Sequence, residues 1–402
     1  MIATVSIYPA EGAEHSASGD LSALAGYAKA LFRATSAEVR SQQVVLSNVK
    51  DDVPRVYDDD GLEIRDCWRK GSLWFAWDLW KEFRAHPEWR VAHLQHEFNQ
   101  FGSISTLPVM LLLLAALRVF LSRKIAITLH EVLPPKVIDQ AFLRQACIPY
   151  PAPLVRWGFL IYYRLLAGLA HSLIAMDEYF AFILTCDYGV TKPIDIIRLG
   201  TSEAVPTPRK AARKQLNLPE DSFVVLSFGS LDWRKGLDVL VDAFALLPRE
   251  GFALIIGGGA PKRVSHTVQY QEWWAKVERA MDGLPSVRYI GFVADGDIPL
   301  IFGAADLVVF PYLFPQRISA AFNQAASFGV PCIVSEAFAS QSPPDTVFET
   351  TPQKLAEKIL WAASGNLSCL KEHVLAFRST NSWRASASAM TQIHARLVAS
   401  AR

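Results

Sequence analysis

The 402-residue chain is poor in cysteine, in net charge and in long apolar runs, and each shortage closes a class of function. Its five cysteines, Cys67, Cys147, Cys186, Cys332 and Cys369, are odd in number, widely separated and without a C-x-x-C pair. Neither a disulfide framework nor a zinc site is suggested, and a reducing cytoplasm fits best. Forty basic residues stand against thirty-nine acidic ones, a formal charge of +1, so there is no bulk electrostatic case for nucleic acid. The apolar run Leu107–Leu117 stops at Arg118 after eleven residues, well short of the roughly twenty that span a bilayer. Met1 to Pro9 has neither a basic n-region nor a small-residue cleavage site, and export is not expected.

What is present is material for two ordinary cores, since 51% of the residues are hydrophobic. Thr4–Tyr8, Val44–Ser47, Val91–Leu94, Ile125–Leu129, Leu173–Met176 and Asp195–Leu199 read as strands separated by helical stretches. That alternation predicts a parallel, doubly wound α/β sheet. Thr201–Asp221 holds three prolines and the cluster Arg209, Lys210, Arg213 and Lys214; it reads as a linker with a short helix and sets the domain boundary. The alternation restarts at Phe223, and a last helical segment covers Ser382–Ser400.

Two segments of the second half share one design. Val224–Gly236, VVLSFGSLDWRKG, is a strand, a polar loop and then Lys235-Gly236 opening an amphipathic helix. Leu307–Pro331 repeats strand, loop and helix, closed by Gly329. A loop at the carboxyl end of a parallel strand, leading to a helix N-terminus beside a cation, suits a phosphate. Two of them suit a diphosphate.

With the ordered elements Gly229 to Gly236, Gly257 to Gly259, Gly291-Phe292-Val293, Ala305-Asp306-Leu307 through Pro311, and Gly329-Val330-Pro331, the chain resembles the C-terminal half of glycosyltransferase family 4. The resemblance implies a GT-B fold: two Rossmann-like doubly wound domains facing a central cleft, with a C-terminal helix crossing back to the first. The implied boundaries are 1–200, an acceptor-side domain; 201–381, a nucleotide-sugar domain; and 382–402, the returning helix. It also implies a retaining hexosyltransferase without a metal or other cofactor, moving sugar from a nucleoside diphosphate sugar to a hydroxyl of a saccharide or lipid-linked acceptor. The alternative is a noncatalytic, saccharide-binding or scaffold relative.

By the same resemblance Lys235 bears the charge of the departing diphosphate, aided by Arg234 or Arg317. The family's loop arginine is here Ser230, and its two acids, seven residues apart, are Gln316 and Gln324. Gln316 would touch the sugar and Gln324 the ribose; an amide keeps an acceptor but loses negative charge. Ser319, Ala320 and Ala321 would present backbone N–H groups to the diphosphate, with Gly291 and Phe292 also on the donor side. His130, ending the Ile125 strand, matches a family histidine beside the sugar. Gly19 would let the main chain approach the donor, and His96, Glu97 and Asn99 are acceptor-side candidates. His93 and His96 fall on opposite faces of a strand, which argues against a shared metal.

The aromatic cluster Trp68, Trp74, Phe75, Trp77, Trp80 and Phe83 reads first as core, because Trp74, Trp77 and Trp80 recur at near-helical spacing. Its alternative, together with Leu107–Leu117, Arg118, Arg123, Lys124 and the Arg156–Arg164 region, is a basic-rimmed apolar face for peripheral contact with the inner face of the membrane.

Overall fold

A computed structural model describes the chain except residues 10–22, 51–52, 99, 146–147, 315–318, 340–341 and 402. Gly19, Asn99, Gln316 and Arg317 therefore lie outside the described residues. The described residues form two compact units, one built from residues 1–199 together with 383–402, the other from 200–382.

The first unit holds β1 (Ile2–Val5), β2 (Gln43–Asn48), β3 (Arg55–Asp59), β4 (Leu62–Trp68), β5 (Val91–His96), β6 (Lys124–Leu129), β7 (Ser172–Ala175) and β8 (Ile194–Ile196). They lie in the order β3-β4-β2-β1-β5-β6-β7-β8, parallel except for the antiparallel β3–β4 pair. The predicted strands at Thr4–Tyr8 and Asp195–Leu199 begin and end earlier than expected. The β3–β4 hairpin was not anticipated. Its turn places Asp60 at φ 56° and Gly61 at φ 80°, the left-handed pair that matches the twist of a two-residue hairpin. The Asp58 carboxylate also accepts from the Gly61 N–H at 2.9 Å.

The tryptophan reading is half corrected. Trp68, Phe75 and Phe83 are fully buried, but Trp74 is 72% and Trp77 53% exposed. The helix Phe75–Ala85 buries Phe75, Leu79 and Phe83, so the tryptophans share its period and not its buried phase.

In the second unit β9 (Phe223–Phe228), β10 (Phe252–Gly257), β11 (Val287–Gly291), β12 (Leu307–Phe310), β13 (Cys332–Ser335) and β14 (Val347–Phe348) lie in the order β11-β10-β9-β12-β13-β14, all parallel. Val224 and Leu226 enter one core and Val225 the other; Val308 and Phe310 divide from Leu307 and Val309 in the same way. Both faces of β9 and β12 are covered, which is why Val224–Leu226 and Leu307–Phe310 read as unbroken apolar runs.

The supposed linker is folded into this unit. Arg213, on the helix Arg209–Gln215, is 1% exposed. It donates to the carbonyls of Ala304, Glu220 and Ser222 and pairs with Asp306 at 2.5 Å. Asp306 also accepts from the Val224 N–H, so the helix is bolted to the first residues of the sheet.

The last helix, Trp383–Ala399, belongs to the first unit. It buries Met390, Ile393 and Leu397, and its Ser386 hydroxyl donates to the Arg198 carbonyl.

Candidate functional site

In the second unit, four neighbouring parallel strands end at one edge of the sheet, and their loops are stitched together by backbone. Gly229 N–H donates to Gly257, Leu231 N–H to Gly259, Gly258 N–H to Gly291 and Leu313 N–H to Arg234. Two positions require glycine. Gly258 has φ 156°, and a Cβ there would stand 1.8 Å from the Gly229 oxygen; Gly236 has φ 67°, and its Cβ would stand 1.9 Å from the Pro311 oxygen. A side chain at either one would force the loops apart.

This stitching places Lys235 at the end of the turn Trp233–Lys235, immediately before Gly236 and the helix Leu237–Phe244. Its ammonium sits 3.8 Å from the ring centroid of Tyr312, in the loop after β12. The ring holds the cation through its quadrupole without carrying a compensating charge of its own. No carboxylate pairs with Lys235 among the described residues. The Tyr312 hydroxyl lies 3.1 Å from Ser319 Oγ, and Ser319 caps the helix Ala320–Phe328 by accepting from the Phe322 N–H at 3.2 Å. Ala321 approaches Gly229 so closely that a Cβ on the glycine would meet the alanine methyl at 3.3 Å. Lys235, Ser319, Ala320 and Ala321 are thus brought to one edge, by a helix N-terminus that favours anions.

Arg234 is differently placed. Its guanidinium takes both oxygens of Asp232, at 3.0 and 2.6 Å, so its charge is matched within its own loop. Ser230 is exposed, Gly291 is at φ 75° and Phe292 is 60% exposed beside Gly259. Gln324 is half-buried on the helix Ala320–Phe328.

In the first unit His130 follows β6, and its N–H donates to the His96 carbonyl. Its Nε2 lies 2.8 Å from Gln95 Oε1 and its ring meets Tyr27 edge-on at 4.6 Å. Burial, with His96 adding to it, lowers its pKa to about 3, so the ring is neutral at pH 7. The surrounding network assigns its tautomer. Gln95 accepts from His130 Nε2–H and turns its amide nitrogen toward His93 Nε2 at 3.4 Å. Thr128 donates to the same nitrogen at 2.8 Å, and His93 Nδ1–H donates to His394 Nε2 at 2.8 Å. His130 is left with a lone pair on Nδ1.

His96 is no surface group. It ends β5 at 1% exposure, with Nε2 hydrogen-bonded to the Tyr162 hydroxyl, and burial lowers its pKa to about 4. Its face is the one opposite His93, as the strand period requires. Glu97 lies just beyond the strand, where burial raises its carboxyl pKa. Tyr312, Asp232, Gln95, Tyr162 and His394 were not singled out by the sequence. Tyr312 alone carried a local signal, an aromatic two residues past an apolar strand in the phosphate-side loop.

These loops and sheets define a GT-B protein. Residues 222–364, in this second unit, match the family described as glycosyl transferases group 1. It is 27% identical over 173 residues, 41% of its own length, to an O-antigen chain mannosyltransferase B of Escherichia coli, and spans 39% of that relative. Sucrose-phosphate synthase from Thermosynechococcus elongatus superposes with a TM-score of 0.74 at 19% identity, covering 99% of both chains. HepE of Anabaena, solved with UDP-glucose, gives 0.68 at 17% identity over 98% of this chain and 99% of that one.

Proposed function

We propose that the protein transfers a hexose from a nucleoside diphosphate sugar to a hydroxyl of a saccharide or lipid-linked acceptor, with retention and without a metal in the reaction. The observation that carries this reading is the Lys235 ammonium, paired with no carboxylate among the described residues and held over Tyr312 where two strand-end loops meet a helix N-terminus. A departing diphosphate gains charge as its bond to the sugar breaks, and a fixed cation in place stabilises it. Ser319, Ala320 and Ala321 offer N–H groups to the same anion, with Ser230, Gly291 and Phe292 around it. Gln316 and His130 are assigned to the sugar, His130 as a neutral ring, and Gln324 to the ribose. Arg317 and Gly19 complete the donor side of this reading, and Asn99 joins His96 and Glu97 on the acceptor side. His96 then acts through its support of the strand end, because its ring is buried.

The UDP-glucose named with the Anabaena structure makes UDP the first nucleotide to test. A thermal-shift screen against UDP, GDP and ADP, followed by mass spectrometry with matching sugar donors and cell-extract acceptors, decides the matter. Binding without transfer or hydrolysis would favour a noncatalytic relative, a reading supported by Arg234 being occupied by Asp232. No binding and no turnover would sink both. Gln324→Glu should tighten UDP several-fold, since a charged hydrogen bond to ribose gains about 1 kcal/mol over a neutral one. An unchanged or weaker calorimetric affinity would remove Gln324 from the ribose.

No helix among the described residues is long and apolar enough to cross a membrane. A peripheral contact is nevertheless part of the proposal. Leu73, Trp74 and Trp77 are exposed next to exposed Arg69 and Lys70. On the helix Ala152–Leu169, Leu154, Trp157 and Leu165 are exposed, interspersed with Arg156 and Arg164. Indole rings beside cations suit an anionic lipid surface. Trp74→Ala with Trp77→Ala should cut co-sedimentation with phosphatidylglycerol vesicles at least about tenfold, given the apolar area lost; equal binding would discard this face.

A further inference from the structure

We propose that Asp345, Cys369 and His373 form a binding site for one thiophilic divalent cation, zinc foremost, on the second unit. Cys369 and His373 are four residues apart on the helix Leu367–Thr380 and so share one face. Asp345 comes from the turn Pro344–Thr346, which leads into the edge strand β14. The three side chains converge: Cys369 Sγ is 3.0 Å and His373 Nε2 is 2.8 Å from the same oxygen, Asp345 Oδ2, and 3.5 Å from each other. Tetrahedral zinc with one sulfur, one nitrogen and one oxygen ligand separates its donors by roughly 3.4–3.6 Å. The sulfur–nitrogen pair already has that spacing, and the carboxylate need only withdraw by about half an ångström, a small rotation of a short side chain.

The chemistry of the donors favours a metal over the rival role for such a trio. In a nucleophilic cysteine site the imidazole takes the thiol proton with one nitrogen while the acid holds the other nitrogen. Here Asp345 Oδ2 faces both the thiol and His373 Nε2, so the acid sits on the thiol side of the ring and does not hold the second imidazole nitrogen. A cation at the centre replaces both hydrogen bonds at once. The metal–sulfur bond forms as the thiol proton leaves to solvent, and the neutral imidazole carries its hydrogen on Nδ1 so that Nε2 donates its lone pair. The His373 and Asp345 side chains are 32% and 39% exposed. A metal can enter from solvent, and water can fill the fourth position. The bound ion would tie the helix Leu367–Thr380 to the loop before β14. C-x-x-x-H with a distant aspartate matches no zinc pattern, which is why the sequence alone did not suggest the site.

The test is cobalt titration of the full chain after chelation and reduction. The expected result is one equivalent bound, with a thiolate-to-cobalt band in the near ultraviolet, intense tetrahedral bands in the visible, and displacement by zinc. Cys369→Ser should abolish the near-ultraviolet band, and His373→Gln should weaken binding at least about tenfold. Zinc should also raise the unfolding temperature of the wild type and not of the double variant. A wild-type chain without saturable one-to-one binding overturns the proposal, even if the variants fold poorly. The same thiolate band in Cys369→Ser overturns it too, since another cysteine would then be the ligand. Donor binding and transfer play no part in these readouts.

Discussion

Lys235→Ala should lower kcat/KM for sugar transfer by roughly 10²–10³, the loss seen when a single preorganised group is removed from a developing negative charge. The fall belongs mainly in kcat, because the ammonium is worth most when the sugar–phosphate bond is breaking. UDP should still bind, weakened by less than the rate, since Ser319 and the helix N-terminus remain. Stability should barely move. Lys235 is half-exposed and its cation–π contact with Tyr312 is worth about 1 kcal/mol. Steady-state kinetics with the donor found by the nucleotide screen checks this, alongside thermal unfolding of the variant. Transfer within a factor of two or three of wild type would mean that the diphosphate lies elsewhere, whatever the fold.

The second unit could be read from the sequence in some detail because its strands are buried on both faces and its turns need glycine. Val224–Leu226 and Leu307–Phe310 are buried and apolar throughout, and Gly236 and Gly258 have no substitute because a Cβ would stand 1.9 and 1.8 Å from a carbonyl oxygen. The β3–β4 hairpin escaped because Arg55–Asp59 is a short edge strand with Arg55, Val56 and Asp58 exposed and no buried residue; only Asp60-Gly61 announced it. Trp74 and Trp77 show a further limit. Spacing identifies a helix, but its phase is set by what packs against it, and the same period fits Phe75, Leu79 and Phe83. In the site, Lys235 was legible as a residue type in a loop. That Tyr312 keeps its charge available while Asp232 occupies that of Arg234 depends on side-chain directions that no spacing encodes. Nor could the sequence join His394, near the end of the chain, to His93 on β5.

Acid should destabilise the first unit more steeply than its carboxylates alone would. Burial lowers the pKa of His96 and His394 to about 4 and that of His130 to about 3, and pushes His93 down as well. In the unfolded chain these rings titrate near the ordinary value of about 6.5. Between the folded and unfolded values the unfolded state therefore binds more protons, and stability rises with pH through that window. The contribution is complete above pH 6.5 and is lost as pH falls toward 4. At pH 5 His96, His130 and His394 have each given up on the order of 2 kcal/mol. Three such rings in a unit of about two hundred residues correspond to a fall in Tm of at least about 10 °C relative to pH 7. His394→Gln, which keeps a polar group against His93 and cannot titrate, should be less stable at pH 7 and show a shallower slope between pH 7 and 5. Parallel slopes for variant and wild type, or a Tm that is level across this range, would show that the histidines are not held neutral by burial.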